Sequence, residues 1–346
     1  MITIDGKEAG GQILRTALGL SAITRKAIKI INIRGGRTEG GLKTQHLQGV
    51  LAVAQLCGAE VKGAYLGSKE MEFIPKKIEA KELNIKISTA GSIALLFQSL
   101  QIASAFTSNT VTISIKGGST ASAWSPTMHY VQNIFLPIVQ KMGYNAEIKI
   151  IQEGFYPKGG AEVKIKVYPI KKLSPIQLTQ RGEVKKIKGI SVAGSLPKSV
   201  AERQATSAKE ILEEKGYEVE IESKALNTFS PGTSITLWAE CENSILGADN
   251  IGKKGVPAER IGEECAKELI KSIESKAALD KFMADQILPF IALAEGRSRI
   301  KVEEITEHCA TNMKVCEMML GVKFLVEEKE KVIEVEGIGF TNPNFR

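Results

Sequence analysis

GQILRTALGLSAITRKAIKIINIRG, residues 11–35, changes period half-way along. Residues 11–24 space their apolar side chains as a helix does, whereas residues 28–35 form a short β-branched run. A helix therefore hands over to a strand. Working outward, MITID (1–5) reads as a preceding strand and LKTQHLQGVLAVAQLCG (42–58) as a second helix, followed by strand-like AEVKGAYLG (59–67) and KEMEFIP (69–75). The order is β-α-β-α-β-β. It returns in LNIKIST, GSIALLFQSLQIASAF, NTVTISIKGG, SPTMHYVQNIFLPIVQKMG, YNAEIKIIQ and GAEVKIKVYP, between residues 83 and 169. Two copies of one unit of about 80 residues predict a repeat architecture.

A third copy begins late, with LDKFMADQILPFIALAEG (279–296), SRIKVEEI (298–305), a helix over 306–320 and a closing hairpin of VKFLVEE and KVIEVEG. Its opening strand is missing at the expected place. Between the second and third copies lie residues with their own βαβββα order, including the amphipathic SVAERQATSAKEILEEKG and PAERIGEECAKELIKSI. The expectation is an α/β (α+β) protein: three βαβαββ repeats over 1–181 and 276–346, and an inserted α/β domain of four strands and two helices over 182–275.

The 346 residues and 43% hydrophobic content allow a sizeable core. No apolar run approaches the roughly 20 residues of a bilayer span, and MITIDGKEAGG is no signal peptide, so a cytoplasmic, non-membrane protein is expected. Five cysteines, an odd number without a CxxC pair, read as reduced thiols. A formal charge of +7 favours an anionic partner such as nucleic acid or nucleotide, although a solvated Lys-rich face would look the same. Aromatic residues are 5% of the chain and do not interleave with basic clusters, so a base-stacking platform is not visible.

DGKEAGGQILR (5–15) joins a strand to a helix, where free N–H groups and the helix dipole suit a phosphate. Glu8 could hold a divalent cation there and Arg15 clamp a phosphate. RGGRTEGGLKTQHL (34–47) repeats the arrangement with Arg37, Gln45 and His46; a solvated basic loop with a part-buried histidine is the plainer reading. GADNIGKK (247–254) misses a Walker A loop because Lys254 stands where Ser or Thr must hold magnesium. In KFMADQILP (281–289), Asp285 and Gln286 form a polar edge on a core helix, and the Phe282 ring could stack on a base. In TEHCATN (306–312), Thr306 can cap a helix and place His308 in its first turn. The dipole there keeps an imidazole neutral and nucleophilic and attracts phosphates. A capped, inert histidine fits the same residues.

EAGGQILR, RGGRTEGGLKTQHL, STAGSIALLFQSL, GFYPKGG, ADQILP and HCATN, in this order over nearly the whole chain, together resemble the RNA 3′-terminal phosphate cyclases. The resemblance implies ATP-dependent conversion of an RNA 3′-phosphate to a 2′,3′-cyclic phosphate, with release of AMP and diphosphate. It makes His308 the nucleophile that carries AMP, Glu8 the ligand of Mg²⁺ or Mn²⁺, and Arg15, Arg37, Gln45 and His46 the phosphate and catalytic donors. It assigns Gln98, Pro126 and the stretch Phe282, Met283, Ala284, Asp285 and Gln286 to the nucleotide pocket, with a ring and a proline sandwiching adenine. The partners implied are ATP and RNA with a 3′-terminal phosphate.

Five positions depart from the pattern that the resemblance implies. Glu153 stands where Arg or His is usual, Ala161 where a third glycine is, His129 where an aspartate is and Gly40 where a proline is. Phe282 replaces a frequent tyrosine and keeps the ring. Two other functions share parts of this pattern: a non-catalytic cyclase-like factor of RNA processing, which lacks the nucleophilic histidine, and an enolpyruvyl transferase-like enzyme, which needs neither ATP nor that histidine. Lys185, Lys186 and Lys188 of the insert read as a solvated face rather than an RNA contact.

Overall fold

The computed structural model describes residues 1–8, 10–79 and 82–345. The first unit runs β1 (Ile2–Asp5), α1 (Gln12–Thr24), β2 (Ile28–Ile31), α2 (Thr44–Cys57), β3 (Glu60–Lys62) and β4 (Met71–Ile74). β1 and β2 are parallel, as strands joined by a crossover helix must be, and β4 and β3 complete the sheet antiparallel in the order β1-β2-β4-β3. The second unit builds the same sheet from β5 (Glu82–Ser92), β6 (Val111–Ser119), β7 (Ala146–Gln152) and β8 (Glu162–Val167), in the order β5-β6-β8-β7. Its first helix is α3 (Ile93–Ala105).

The second helix of that unit is not the single α-helix its pattern suggests. It is α4 (Met128–Tyr130), a π-turn over Val131–Phe135, then α5 (Leu136–Gln140). Pro137 has no N–H for the carbonyl four residues back, and the Asn133 side chain donates to the His129 carbonyl (2.9 Å), diverting an acceptor from the α ladder.

The third unit is complete, and its opening strand is β9 (Gln177–Leu178), parallel to β14 (Glu295–Lys301). The insert thus interrupts the third unit after its first strand instead of separating two whole units. Two residues without alternation carry no periodic signal; only the pairing Leu178 to Ile300 reveals the strand. The insert comprises β10 (Val184–Gly194), α6 (Lys198–Glu214), β11 (Val219–Leu226), β12 (Gly232–Cys241), β13 (Ile245–Ile251) and α7 (Ala258–Glu274), with sheet order β11-β10-β12-β13. α8 (Lys281–Leu293), α9 (Glu307–Leu320), β15 (Phe324–Glu327) and β16 (Val332–Ile338) finish the unit, whose sheet reads β9-β14-β16-β15. Four small mixed sheets with helices make the mixed α/β fold expected.

One apolar cluster running from Ile4 to Val335 unites the three units, and a second, with Ile187, Leu237, Leu246, Cys265 and Leu269, lies between the insert sheet and its helices. α1 is buried on nearly every side, so it is a central helix, packed against α3 and α9. Lys186 pairs with Glu218 and Glu220, and Lys188 with Glu240, so these insert lysines are already neutralised at the sheet surface.

Glu153 and His129, two of the departures, touch each other. His129 Nε2 and Glu153 Oε1 are 2.8 Å apart, both residues are buried, and Thr120 Oγ1 donates to the other carboxylate oxygen. The resemblance implies a base at position 153 and an acid at position 129, so the two departures together keep an acid beside a base. Removing one partner of a buried hydrogen bond leaves the other unsatisfied at a cost of about 1 to 3 kcal/mol. We therefore expect His129→Asp or Glu153→His alone to lower thermal stability by that order, and the double variant to recover most of it. Additive losses in a chemical-denaturation cycle would refute the exchange.

Candidate active site

The Gly10–Gly11 turn lies at the meeting point of three basic side chains. A Cβ on Gly11 would sit 2.3 Å from His46 Nε2 and 3.1 Å from Arg15 Nη1, and one on Gly10 would sit 3.5 Å from the Arg37 guanidinium. Gly10 also has a φ of +59°, the left-handed region that favours glycine. The two glycine loops are tied together: Arg34 N donates to Gly6 O and Gly36 N to Lys7 O, both at 3.0 Å. Hence Arg37, although distant from Arg15 in sequence, faces the same turn.

His308 approaches from the other end of the chain. Thr306 caps α9 as expected, its hydroxyl accepting from Cys309 N at 3.2 Å, so His308 stands in the first turn. Partial desolvation, then the fields of Arg15 and Arg37, hold its imidazolium pKa below the ordinary 6.5 in spite of neighbouring Glu307. The ring is neutral near pH 7, while the residue remains open to solvent. Cys309 is buried and its thiol is pushed up to about 12, which leaves it inert beside the histidine.

Arg15 is buried and donates to Gln12; desolvation lowers it to about 10, with Asp285 opposing. Burial raises Asp285 to about 7, with Arg15 opposing. Burial and the charges of Arg15, Arg34 and Lys43 lower His46 to about 3, so it is a neutral ring. Its Nδ1 accepts from Lys43 N, which fixes the tautomer that carries hydrogen on Nε2, toward Gly11. Gln45 Oε1 accepts from Ser92 N at 3.0 Å, leaving its amide N–H groups available.

A narrow polar cleft opens beside Arg15, between α1, α3, α8 and α9, lined by Gln12, Gln98, Gln101, Asp285, Gln286 and Asn312 among others. Gln98 Nε2 donates to Gln286 Oε1, and Gln286 Nε2 donates to the Phe282 carbonyl. Gln98 Oε1, Gln101 Nε2 and Arg15 Nε are buried there without a partner among the described residues. Unpartnered buried polar atoms cost about 1 to 3 kcal/mol each, and the cleft, about 20 Å³, has room for a water that can meet them. Phe282, 41% exposed, meets Tyr130 edge-on at 6.4 Å. Pro126 lies beside Thr127, which caps the segment carrying Tyr130. Met283 and Ala284 are wholly buried core residues, and the N–H groups of both are spent on the Asp280 cap.

Two site residues escaped the sequence reading. Asn312, fully buried, accepts from Thr16 Oγ1 (2.7 Å) and donates to Asp285 O (2.8 Å), clamping α1, α8 and α9 together. Its spacing of four from His308 was the available signal. Gln101 follows Gln98 by three on the same face of α3. Glu8 is exposed and bridges to Lys314 at 3.4 Å. No group of three or more metal-ligating side chains exists among the described residues. A cation at Glu8 would therefore depend on substrate phosphates for most of its ligands, the usual habit of Mg²⁺.

Asp285→Asn tests the electrostatics. A carboxyl raised from 3.8 to about 7 gives the fold stability that is complete below pH 4 and lost as pH rises through 7. The full conversion is roughly 4 kcal/mol, and because solvent reaches part of the residue we expect about half. The variant should gain stability relative to wild type between pH 5 and pH 8; a difference in Tm independent of pH would place the carboxyl in water.

Comparison with known proteins follows the same residues. Residues 6–326 match the family model described as RNA 3′-terminal phosphate cyclase. The RNA 3′-terminal phosphate cyclase of Pyrococcus abyssi is 46% identical over 326 residues, 94% of each chain. That of Pyrococcus furiosus is 44% identical, covering 97% of this chain and 96% of its own, and that of Pyrobaculum aerophilum 41%, covering 98% and 99%. Among solved structures, an EPSP synthase from Acinetobacter baumannii aligns with a TM-score of 0.32 at 11% identity, covering 99% of this chain and 83% of its own, too weak a likeness to bear on fold or chemistry.

Proposed function

Because the chain belongs to the RNA 3′-terminal phosphate cyclase family, we propose that it converts an RNA 3′-phosphate into a 2′,3′-cyclic phosphate at the expense of ATP, with His308 as nucleophile. The observation that supports the assignment of His308 is its place: a neutral imidazole at a capped helix start, within the electrostatic reach of Arg15 and Arg37.

The chemistry runs in three transfers. The His308 ring attacks the α-phosphorus, the bond to the diphosphate breaks, and a phosphorus–nitrogen bond holds AMP. An oxygen of the RNA 3′-phosphate then displaces the ring and takes the AMP. Finally the neighbouring 2′-hydroxyl attacks the 3′-phosphorus, loses its proton and expels AMP. The last step requires a ribose, so the substrate is RNA.

Arg15, Arg37 and the first-turn N–H groups of α9 meet the charge that grows on the phosphoryl oxygens under attack. His46, neutral with hydrogen on Nε2, and Gln45 are hydrogen-bond donors to a phosphate beside Gly11. Gln98, Gln286 and the Phe282 ring would seat the nucleotide base, with Pro126 opposite and Asp285 behind. Glu8 would hold the divalent ion, Mg²⁺ or Mn²⁺, which supplies charge neutralisation on the phosphates. Residues 182–275 we treat as a domain inserted into the third unit, and the cytosol, where ATP and free thiols coexist, as its place. Among the described residues no helix is long and apolar enough to cross a membrane.

The test is incubation with ATP labelled at the α-phosphate, followed by a 3′-phosphorylated oligoribonucleotide. The protein should acquire label, then release it as AMP while the RNA end cyclises. A non-catalytic relative would stay unlabelled, and an enolpyruvyl transferase would liberate inorganic phosphate without AMP.

A further inference from the structure

We propose that Trp124, Tyr156 and Phe229 form a stacking ledge for the nucleotides upstream of the RNA 3′ end, a reading that rests on the cyclase function above. The three residues are 98%, 79% and 68% exposed. Among the described residues none of these rings meets another ring, and Phe229 lays its ring against Gly160 while most of it stays exposed.

The three come from distant parts of the sequence, but their loops meet around Phe155. Ala121 packs on Phe155, and Thr120 N donates to Gly154 O at 3.0 Å, joining the Trp124 loop to the Tyr156 loop. A Cβ on Gly160 would lie 2.3 Å from the Phe229 ring, and Lys158 N donates to Ser230 Oγ at 3.0 Å, joining the Tyr156 loop to the Phe229 loop. Gly194 and Gly232 press against the Phe155 ring from the insert sheet. The rings therefore stand on a packed base. Trp124 adds a second sign. Its φ of +59° is left-handed, a strained setting for a bulky side chain, and in return the indole lies almost wholly in water. Strain without a folding benefit points to a ligand.

Charge and continuity choose RNA over a protein. Residues 119–126, 154–161 and 226–232 contain no carboxylate, and their one charge, Lys158, is exposed and without an ion pair among the described residues. The ledge also joins the catalytic loops by consecutive contacts. Gly159 abuts Gly118 O, Gly118 abuts Gly91 O, and Gly91 abuts the Gln45 side chain, next to His46. Exposed aromatic rings with a free cation and no carboxylate beside them suit single-stranded RNA, whose bases stack and whose phosphates repel acids.

The experiment compares a 3′-phosphorylated ten-nucleotide RNA with a dinucleotide 3′-phosphate too short to reach the rings. Trp124→Ala should raise KM for the longer RNA about tenfold, and the triple alanine variant further. Enzyme adenylylation without RNA and KM for the dinucleotide should not change. Trp124→Phe should recover most of the loss. Lys158→Ala should reduce the slope of log KM against log salt by about 0.7, one phosphate contact. In a Trp238→Phe background, where Trp124 is the remaining tryptophan, the longer RNA should quench its fluorescence at concentrations near KM. Unchanged KM, or a rise equal for both RNAs, overturns the ledge alone. Unaltered RNA kinetics with loss of a self-associated species would reassign the rings to a protein contact. A wild-type protein that cyclises neither RNA removes the function and the ledge together.

Discussion

His308→Ala should take up no label from ATP marked at the α-phosphate and should lose cyclisation by at least about 10⁴-fold. The ring is the group to which AMP would be bonded, and no other nucleophile beside it can replace it: Cys309 is buried with its thiol near 12, and His46 donates its remaining ring hydrogen toward Gly11. The variant should fold. His308 is exposed and its side chain makes no hydrogen bond among the described residues, Thr306 keeps its cap on Cys309 N, and alanine suits a first helical turn. Unfolding free energy should thus stay within about 0.5 kcal/mol of wild type. The chemistry of the wild-type label is a second check, since a phosphorus–nitrogen bond breaks in acid and survives in alkali. Labelling of the variant at the wild-type rate would remove His308 from the reaction.

Much of this fold is written locally. Residues 11–35 switch from helical to strand spacing within one stretch, and the same switch marks each unit, so period alone yields two βαβαββ copies, a third without its opening strand and an intervening segment. What is not local is not legible. β9 is a strand only because Leu178 lies beside Ile300. The π-turn arises where Pro137 and the Asn133 side chain disturb one ladder, a coincidence that no periodicity encodes. The site divides the same way. Gly11, Arg15, His46 and His308 are each marked by position at a loop or helix start, but that Gly11 must lack a side chain because His46 fills the space is a fact of packing. The departures at His129 and Glu153 look like two losses until 2.8 Å makes them one exchange. Asn312 and Gln101 lay on the right helical faces, and helical spacing alone cannot separate a clamp or an unfilled donor from an ordinary polar core residue. The low aromatic content concealed the ledge because its rings are assembled by three loops.

Arg15→Gln should slow adenylylation by about 10²- to 10³-fold, the scale for losing one donor aimed at developing charge. Its pH dependence should say why. Arg15 is a cause of the lowered imidazolium pKa at both His308 and His46, so its removal raises both. Adenylylation needs a neutral ring; its acid limb should therefore move to higher pH in the variant. Arg15 also opposes the burial that lifts Asp285, so without it the carboxyl climbs further above 7. A raised carboxyl gives stability at low pH that is lost as pH increases, hence the variant should lose more stability at pH 8 than at pH 5. Arg15→Lys separates field from geometry. Lysine keeps the charge and should return the acid limb toward its original position, but it lacks the planar fork that reaches Gln12 and leaves Nε free toward the cleft, so most of the rate should stay lost. If Arg15→Gln leaves the acid limb in place, the guanidinium does not act on His308, and the low pKa of that ring must come from desolvation and the helix start alone.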